Sequence, residues 1–355
     1  MSTQLWAARA GAAERAVDTR HLCRLWGLPG TRLGRIHWPA DRADILSVRW
    51  MYWWQAHLLD CLVDAQVREP AQWRRAAVAG LARGIRLRNL TSWVNNYHDD
   101  IAWLGLALQR SATLAGVRKA SAEQAIAHRL RLGQGPSGGM RWRVGDDFVN
   151  VPATGPAAIF FARQGDLGLA TSLVDWILEH LIDPDTGLVF DGARVNPDGS
   201  IRTVERNVYS YCQGVLLGAC VELAVATGQS RWVEHADRTV HAVAKHLTDG
   251  GVVRGHGGGD GGLFTGILAR YLALAATMLP AGSSGPAAAR LVQDCAEAAW
   301  RNRGVAEGGP VFGPQWTGPA LPPQPGRAER DLSVQLSGWM LLEAAASLER
   351  AQAPS

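Results

Sequence analysis

Six long, almost uncharged segments recur along this chain, and they limit its fold more than any other feature. They run WWQAHLLDCLVDA from Trp53, DDIAWLGLALQRSATLAG from Asp99, GPAAIFFARQG from Gly155, YCQGVLLGACVELAVATG from Tyr211, GLFTGILARYLALAATM from Gly262 and VQLSGWMLLEAAASLER from Val334. A helix that is apolar nearly all round must be surrounded by protein. Gly and Ala run through the interiors of five of them, which lets neighbouring helices approach closely. Amphipathic, charge-rich stretches alternate with them: Ala7–Trp26, Pro70–Arg88, Ala120–Leu132, Leu167–Leu181, Arg231–Leu247 and Pro286–Arg301. Leu173, Trp176, Ile177 and Leu181 show the 3–4 spacing of a one-sided helix.

Six buried helices alternating with six half-exposed ones predict an all-α (α/α)6 toroid, an inner ring wrapped by an outer one. A superhelical solenoid stacks helix pairs in the same way and is the competing architecture. The absence of a short repeated consensus favours closure. The expected organisation is one domain over 1–355, with its core at about 45–350 and an N-terminal helix within 1–44 packed on the outer ring. Unusual loops fall between the helices. Residues 132–152 are Gly-rich around Trp142, 186–202 read as a hairpin about Asn196-Pro197-Asp198-Gly199, and 305–330 are Pro/Gly-rich. In a toroid, the loops entering the inner helices converge on one end of the ring.

Composition narrows the function. The chain has 355 residues, 47% hydrophobic and 19% charged, which is ample for a core. Its net charge of +4 comes almost entirely from Arg, and no basic run interleaves with aromatics, so nucleic acid is not an expected partner. The five Cys are scattered, with no C-x-x-C, and read as buried thiols instead of a disulfide or zinc frame. The N-terminus lacks a continuous apolar core for a signal peptide, so a cytoplasmic location is the expectation. No run of ~20 uninterrupted apolar residues indicates a membrane span. Fifteen Trp against five Tyr and six Phe is an unusual balance, and Trp suits the C–H face of a sugar.

Tyr97-His98-Asp99-Asp100-Ile101-Ala102-Trp103 carries the chemistry. Adjacent helical residues diverge by about 100°, so two such carboxyls stand roughly 5 Å apart. That is near the ~5–5.5 Å separation of retaining glycosidases. Paired acids also occur in first turns merely because anions suit the helix dipole. Two close carboxyls cannot both ionise easily, which drives one pKa down and the other up. His98-Asp99-Asp100 is also compatible with a helical HD-type metal phosphohydrolase, with His57 and Asp260 as further ligands, although no i, i+4 His pair appears. The G-x-G-x-x-G at Gly257–Gly262 lacks the strand that a dinucleotide site requires. Two adjacent Trp at a helix start, Trp53 and Trp54, cannot both enter one core, so one of them is expected to line the cleft.

The segments WWQAHLLD (53–60), YHDDIAW (97–103), GGMRWR (138–143), NVPATGPAAIFFAR (150–163), GLVFDG (187–192), YSYCQGVLLGA (209–219), GDGGLFTGILARYL (259–272) and QLSGWMLLEAA (335–345) together resemble glycoside hydrolase family 76. The resemblance spans about residues 45–350 and is strongest to actinobacterial members. It implies an (α/α)6 α-1,6-mannanase acting on α-mannan or a mannose-containing oligosaccharide, with retention through a covalent mannosyl-enzyme and no metal or organic cofactor. It implies Asp99 as nucleophile and Asp100 as general acid/base. Trp53, Trp54, Tyr97, His98, Trp142, Tyr209 and Phe264 are expected around the sugar-binding mouth, and Asn150, Gln213 and Asp260 are expected to bond sugar hydroxyls. Three departures touch that mouth. Cys212 stands where Asn is common, Thr265 stands where Lys is common, and His98 replaces an aromatic or other residue. A non-catalytic glycan-binding toroid is the second functional reading.

Overall fold

The computed structural model describes residues 4–352; residues 1–3 and 353–355 lie outside the described part. Twelve helices of thirteen residues or more account for the architecture among the described residues. The inner ones are α2 (Tyr52–Arg68), α4 (His98–Leu114), α6 (Val151–Arg163), α8 (Ser210–Thr227), α10 (Phe264–Met278) and α12 (Leu332–Gln352). The outer ones are α1 (Leu5–Arg20), α3 (Gln72–Arg88), α5 (Ala120–Gly133), α7 (Leu167–His180), α9 (Ser230–His246) and α11 (Gly285–Arg301). Each inner helix packs on the next, and α12 packs back on α2. That last contact closes the ring and rules out an open solenoid.

Small residues set the ring's diameter. A Cβ on Gly105 of α4 would stand 2.9 Å from Phe160 of α6, and one on Gly155 of α6 would stand 2.5 Å from Val215 of α8. One on Gly266 of α10 would meet Ser337 of α12 at 2.6 Å. These joints have no room for a methyl group. The outer helices pair one-to-one with the inner ones, α1 with α12 and α3 with α2, then onward round the ring. Buried ion pairs tie the closing seam: Arg68 of α2 bonds Glu14 of α1 and Glu343 of α12, and Arg74 of α3 also bonds Glu14. Toward the C-terminal ends of the inner helices, Arg110 and Arg270 bridge Asp60 and Asp64.

Two elements differ from the sequence expectation. Helix α1 ends at Arg20, not near Trp26, because Leu22–Cys23 pairs with Leu33–Gly34 and Trp26 has a left-handed φ of 49°. Helix α9 begins at Ser230, one residue ahead of the expected start at Arg231; Gln229 precedes the helix, and no side chain caps it. Pro286 occupies the first turn of α11. By composition, Ser210–Thr227 and Gly259–Met278 are long and apolar enough to cross a bilayer. Here they are inner helices, 72% and 61% buried in the ring.

The inner helices all present their N-termini at one end, where the connecting loops gather. One such loop carries strand β1 (Phe148–Asn150), which pairs antiparallel with β2 (Gly192–Val195). Strand β2 pairs in turn with β3 (Ile201–Glu205) through the turn at Asn196–Ser200. Several loops are anchored by buried glutamines at the fourth position of an inner helix. Gln55 clamps Gly34 through both its peptide N–H and C=O, Gln213 does the same to Val189, and Gln335 to Phe312. Each carboxamide imitates a strand neighbour, so the loop's buried polar groups are satisfied without a sheet.

Candidate active site

A groove of about 990 Å3 opens at this loop-rich end. Its floor is the first turn of α4. Tyr97 precedes the helix in extended conformation and supplies no side-chain cap, so the first-turn N–H of Asp100 goes to Asp99. Asp99 Oδ1 accepts the N–H of Asp100 at 2.8 Å, and its Oδ2 accepts the indole N–H of Trp142 at 3.0 Å. Trp142 is held over the helix by its own backbone: its C=O accepts the His98 N–H at 2.8 Å and its N–H donates to Phe148 at 2.7 Å. Asp100 Oδ2 accepts from the Asn95 amide at 2.6 Å.

The two carboxyls are therefore supported differently. Burial pushes the Asp99 carboxyl up to about 7, opposed by its two N–H donors, while nearby Asp260 adds to the rise. Burial raises Asp100 well above the carboxylate range, the charge of Asp99 raises it further, and Asn95 opposes this. Proton loss belongs to the pair, but the donors concentrate the negative charge on Asp99. The positive end of α4 acts in the same sense.

The opposite wall comes from α2, α8 and α10. Asp260, exposed in the short turn Gly259–Leu263, accepts both indole N–H groups of the adjacent tryptophans on Oδ1, Trp53 at 3.1 Å and Trp54 at 2.8 Å. Tyr211 stacks on Phe264 at 3.9 Å and 11°, with Tyr209 and His256 edge-on around them. Asp191, between β1 and β2 at the groove wall, receives only a long contact of 3.9 Å from the Cys212 thiol. Burial, reinforced by Glu205, pushes its carboxyl up to about 6.

Of the residues singled out from sequence, Asp99, Asp100, Trp53, Tyr97, Trp142, Asn150, Tyr209, Asp260 and Phe264 all border the groove. Asn150 does so while its Oδ1 caps α6 at Ala153. Three expectations need correction. His98 is 2% exposed and turns away from the groove, with Nδ1 bonded to the Arg141 carbonyl and its ring against Gly133. Gln213 is fully buried and spends its amide on Val189 and Tyr209, so it holds a loop and meets no sugar. Trp54 is buried at 3%, and only its partner Trp53 faces the cleft.

Asn95, Asp191, Tyr211, His256 and Trp50 also border the groove, and sequence reasoning missed them. Asn95 lies five residues before Asp100, in the same loop, and Tyr211 lies two after Tyr209, so their neighbourhood was a usable signal. Nothing local marks Asp191 or His256. The metal-ligand grouping also changes. His57 is buried against Trp103 at 4.7 Å between ring centroids, and His98 faces away, so neither meets the aspartate pair. Among the described residues, His37, Asp41 and Asp44 form the one cluster of convergent donors, and the Arg49 guanidinium bonds all three.

A family model described as glycosyl hydrolase family 76 matches residues 10–351. The structure of the GH76A alpha-1,6-mannanase from Salegentibacter sp. HEL1_6 is 30% identical, with a TM-score of 0.84 over 96% of this chain and 99% of that one. An inactive variant of that enzyme, with two consecutive aspartates changed to asparagine, is in complex with alpha-1,6-mannotriose and superposes equally well. The family 76 mannosidase Bt3792 from Bacteroides thetaiotaomicron shares the fold at 18% identity, with a TM-score of 0.79 over 97% of this chain and 99% of that one. No curated protein matches the chain.

Proposed function

The chain belongs to glycosyl hydrolase family 76 and is a glycoside hydrolase, and on that footing we propose that it cleaves α-1,6-mannosidic bonds with retention of configuration. The observation that carries this reading is the unequal support of two neighbouring carboxyls on the groove floor. Asp99, fixed by two N–H donors, is the group prepared to remain charged and attack the anomeric carbon. Asp100, buried beside that charge, is the group prepared to hold a proton and give it to the leaving oxygen. In the second step Asp100 takes a proton from water, which attacks the mannosyl-Asp99 ester and frees the sugar.

The chain has a second Asp-Asp pair, Asp146 and Asp147, but arginines occupy it. Arg143 and Arg194 bond Asp146, and Arg194 and Arg202 bond Asp147. The Salegentibacter mannanase variant with two consecutive aspartates changed to asparagine is inactive, and Asp99–Asp100 is the Asp-Asp pair of this chain that no arginine holds, which supports the reading. Trp53, Trp142 and Tyr209 offer ring faces and edges to mannose, and Asp191 and Asp260 offer acceptors to its hydroxyls.

The test is anomer-resolved NMR of products released from α-1,6-mannotetraose. Retention gives the α-anomer first; initial release of the β-anomer refutes the two-step route. Asp99→Asn and Asp100→Asn should each abolish detectable release while leaving the circular dichroism spectrum unchanged. Wild-type turnover in either one would remove the assignment, and glycan binding without any turnover in the unaltered protein would favour the non-catalytic reading.

A further inference from the structure

Large apolar side chains protrude from three loops beside the groove. Trp26, Ile45, Leu46, Val48 and Leu90 range from 55% exposed at Ile45 to 89% at Leu90. Hydrogen bonds join them into one patch. The Trp26 indole donates to the Leu46 carbonyl at 3.1 Å, and the Arg88 guanidinium donates to the carbonyls of Ser47 and Val48. Arg86 holds the carbonyl of Thr91, next to Leu90, at 3.0 Å. The patch adjoins the groove, because Trp50 and Asn89, which line the groove, follow Val48 and precede Leu90 closely in sequence.

The backbone of this patch is strained as well as exposed. Among the described residues, four non-glycines have positive φ: Trp26 at 49°, Ser47 at 53°, Leu90 at 52° and Thr91 at 62°. All four lie in these loops. A leucine in that conformation is disfavoured by its Cβ, and exposing it to water recovers nothing. Such a tip persists against both costs, and its arginine bonds hold it outward.

The charge around it is one-sided. Arg24 and Arg42 stand two and three residues before Trp26 and Ile45, and Arg83, Arg86 and Arg88 lie on α3 just ahead of Leu90; among the described residues none of the five forms an ion pair with a carboxylate. The nearby acids, Asp41 and Asp44, are both held by Arg49. Side chains this exposed project outward and do not line a recess. Projecting Trp, Leu, Ile and Val fringed by unpaired arginine suit a fluid, anionic, amphipathic surface.

We propose that these loops dock the protein on an anionic lipid bilayer, with Trp26, Leu46, Val48 and Leu90 entering the headgroup region and the arginines meeting lipid phosphates. Docking there sets the groove beside the bilayer. On the reading of the groove given above, its glycan would then be one carried at a membrane surface; that step rests on the earlier reading, whereas vesicle binding does not.

Co-sedimentation of the full chain with phosphatidylglycerol vesicles, and with phosphatidylcholine vesicles, tests the proposal. Wild type should pellet with the anionic vesicles at low salt, release as salt rises, and stay in solution with the neutral ones. Leu90→Gly should cut binding about ten-fold by removing an inserted side chain. It should also leave the melting temperature equal or higher, because glycine relaxes the left-handed φ. Arg86→Gln should cut binding about five-fold, the share of one basic residue near a charged surface. Failure of wild type to pellet, or wild-type binding by both variants, would overturn the proposal. So would a dimer in solution that Leu90→Gly dissociates, which would assign the patch to self-association.

Discussion

Replacing Trp142 by Phe isolates one hydrogen bond that the proposed mechanism depends on. The ring remains able to pack against Tyr97, now 5.3 Å away between centroids, and against Phe148. What disappears is the N–H that reaches Asp99 Oδ2 at 3.0 Å. A hydrogen bond to a charged acceptor is worth about 1.5–3 kcal/mol, and 1.36 kcal/mol corresponds to one pKa unit. The donor favours the ionised carboxylate, so losing it should raise the Asp99 pKa by about 1–2 units from its starting point near 7. Because attack requires ionised Asp99, the acidic limb of kcat/KM against pH should move upward by the same amount. At pH 6 the variant should therefore lose about 10- to 100-fold in kcat/KM, with a smaller loss above the limb. The assay is a pH series on α-1,6-mannotetraose under first-order conditions. An equal loss at every pH, with the limb unmoved, would show that Trp142 acts only as a sugar platform. A limb displaced to lower pH would mean that the roles of the two aspartates are reversed.

Further outcomes follow from the same geometry. The Asp99 carboxyl is raised above its unfolded value of 3.8, so its charge weakens the fold above about pH 7, and the effect vanishes as pH falls toward 4. Asp99→Asn should therefore raise the melting temperature by about 2 °C at pH 8 after discounting for solvent in the groove, with the gap closing at pH 4 in a thermal scan. Gln213→Leu strands the buried N–H and C=O of Val189 and should cost about 2–4 kcal/mol, read as a drop of about 3–5 °C. Cys212→Asn replaces a weak thiol donor facing Asp191 with an amide; an inflection near pH 6 in oligosaccharide binding should shift downward, and an unmoved inflection would remove Asp191 from substrate binding. Gly84→Ala would place a methyl 1.8 Å from the Arg32 carbonyl and should cost about 1–3 kcal/mol in denaturant unfolding.

The ring was legible because burial imposes a pattern that neighbouring residues share. A helix surrounded by other helices has to be apolar on every side and small at its crossings, and segments such as 211–228 and 262–278 announce that without reference to the rest of the chain. Loop contents were legible where chemistry is local: the hairpin about Asn196–Gly199 and the acids at the start of α4 depend on residues a few positions apart. Fine placement was not. His98 adjoins Asp99 in sequence, yet a rotation of about 100° per residue sends its ring under Gly133 while the carboxyl faces the groove. Gln213 sits at the mouth end of α8 and looked like a sugar ligand, but a buried loop peptide needed its amide more.

Local pattern thus accounts for twelve rods, their alternation and an acid pair at one helix start. Folding supplied the rest by bringing distant groups together. Asp260 meets two indoles from α2 across 206 and 207 positions, Trp142 reaches Asp99 across 43, and Asp191 meets Cys212 across 21. These contacts depend on how far each helix is turned in the ring, an angle set by the packing of all its neighbours and encoded in no single segment.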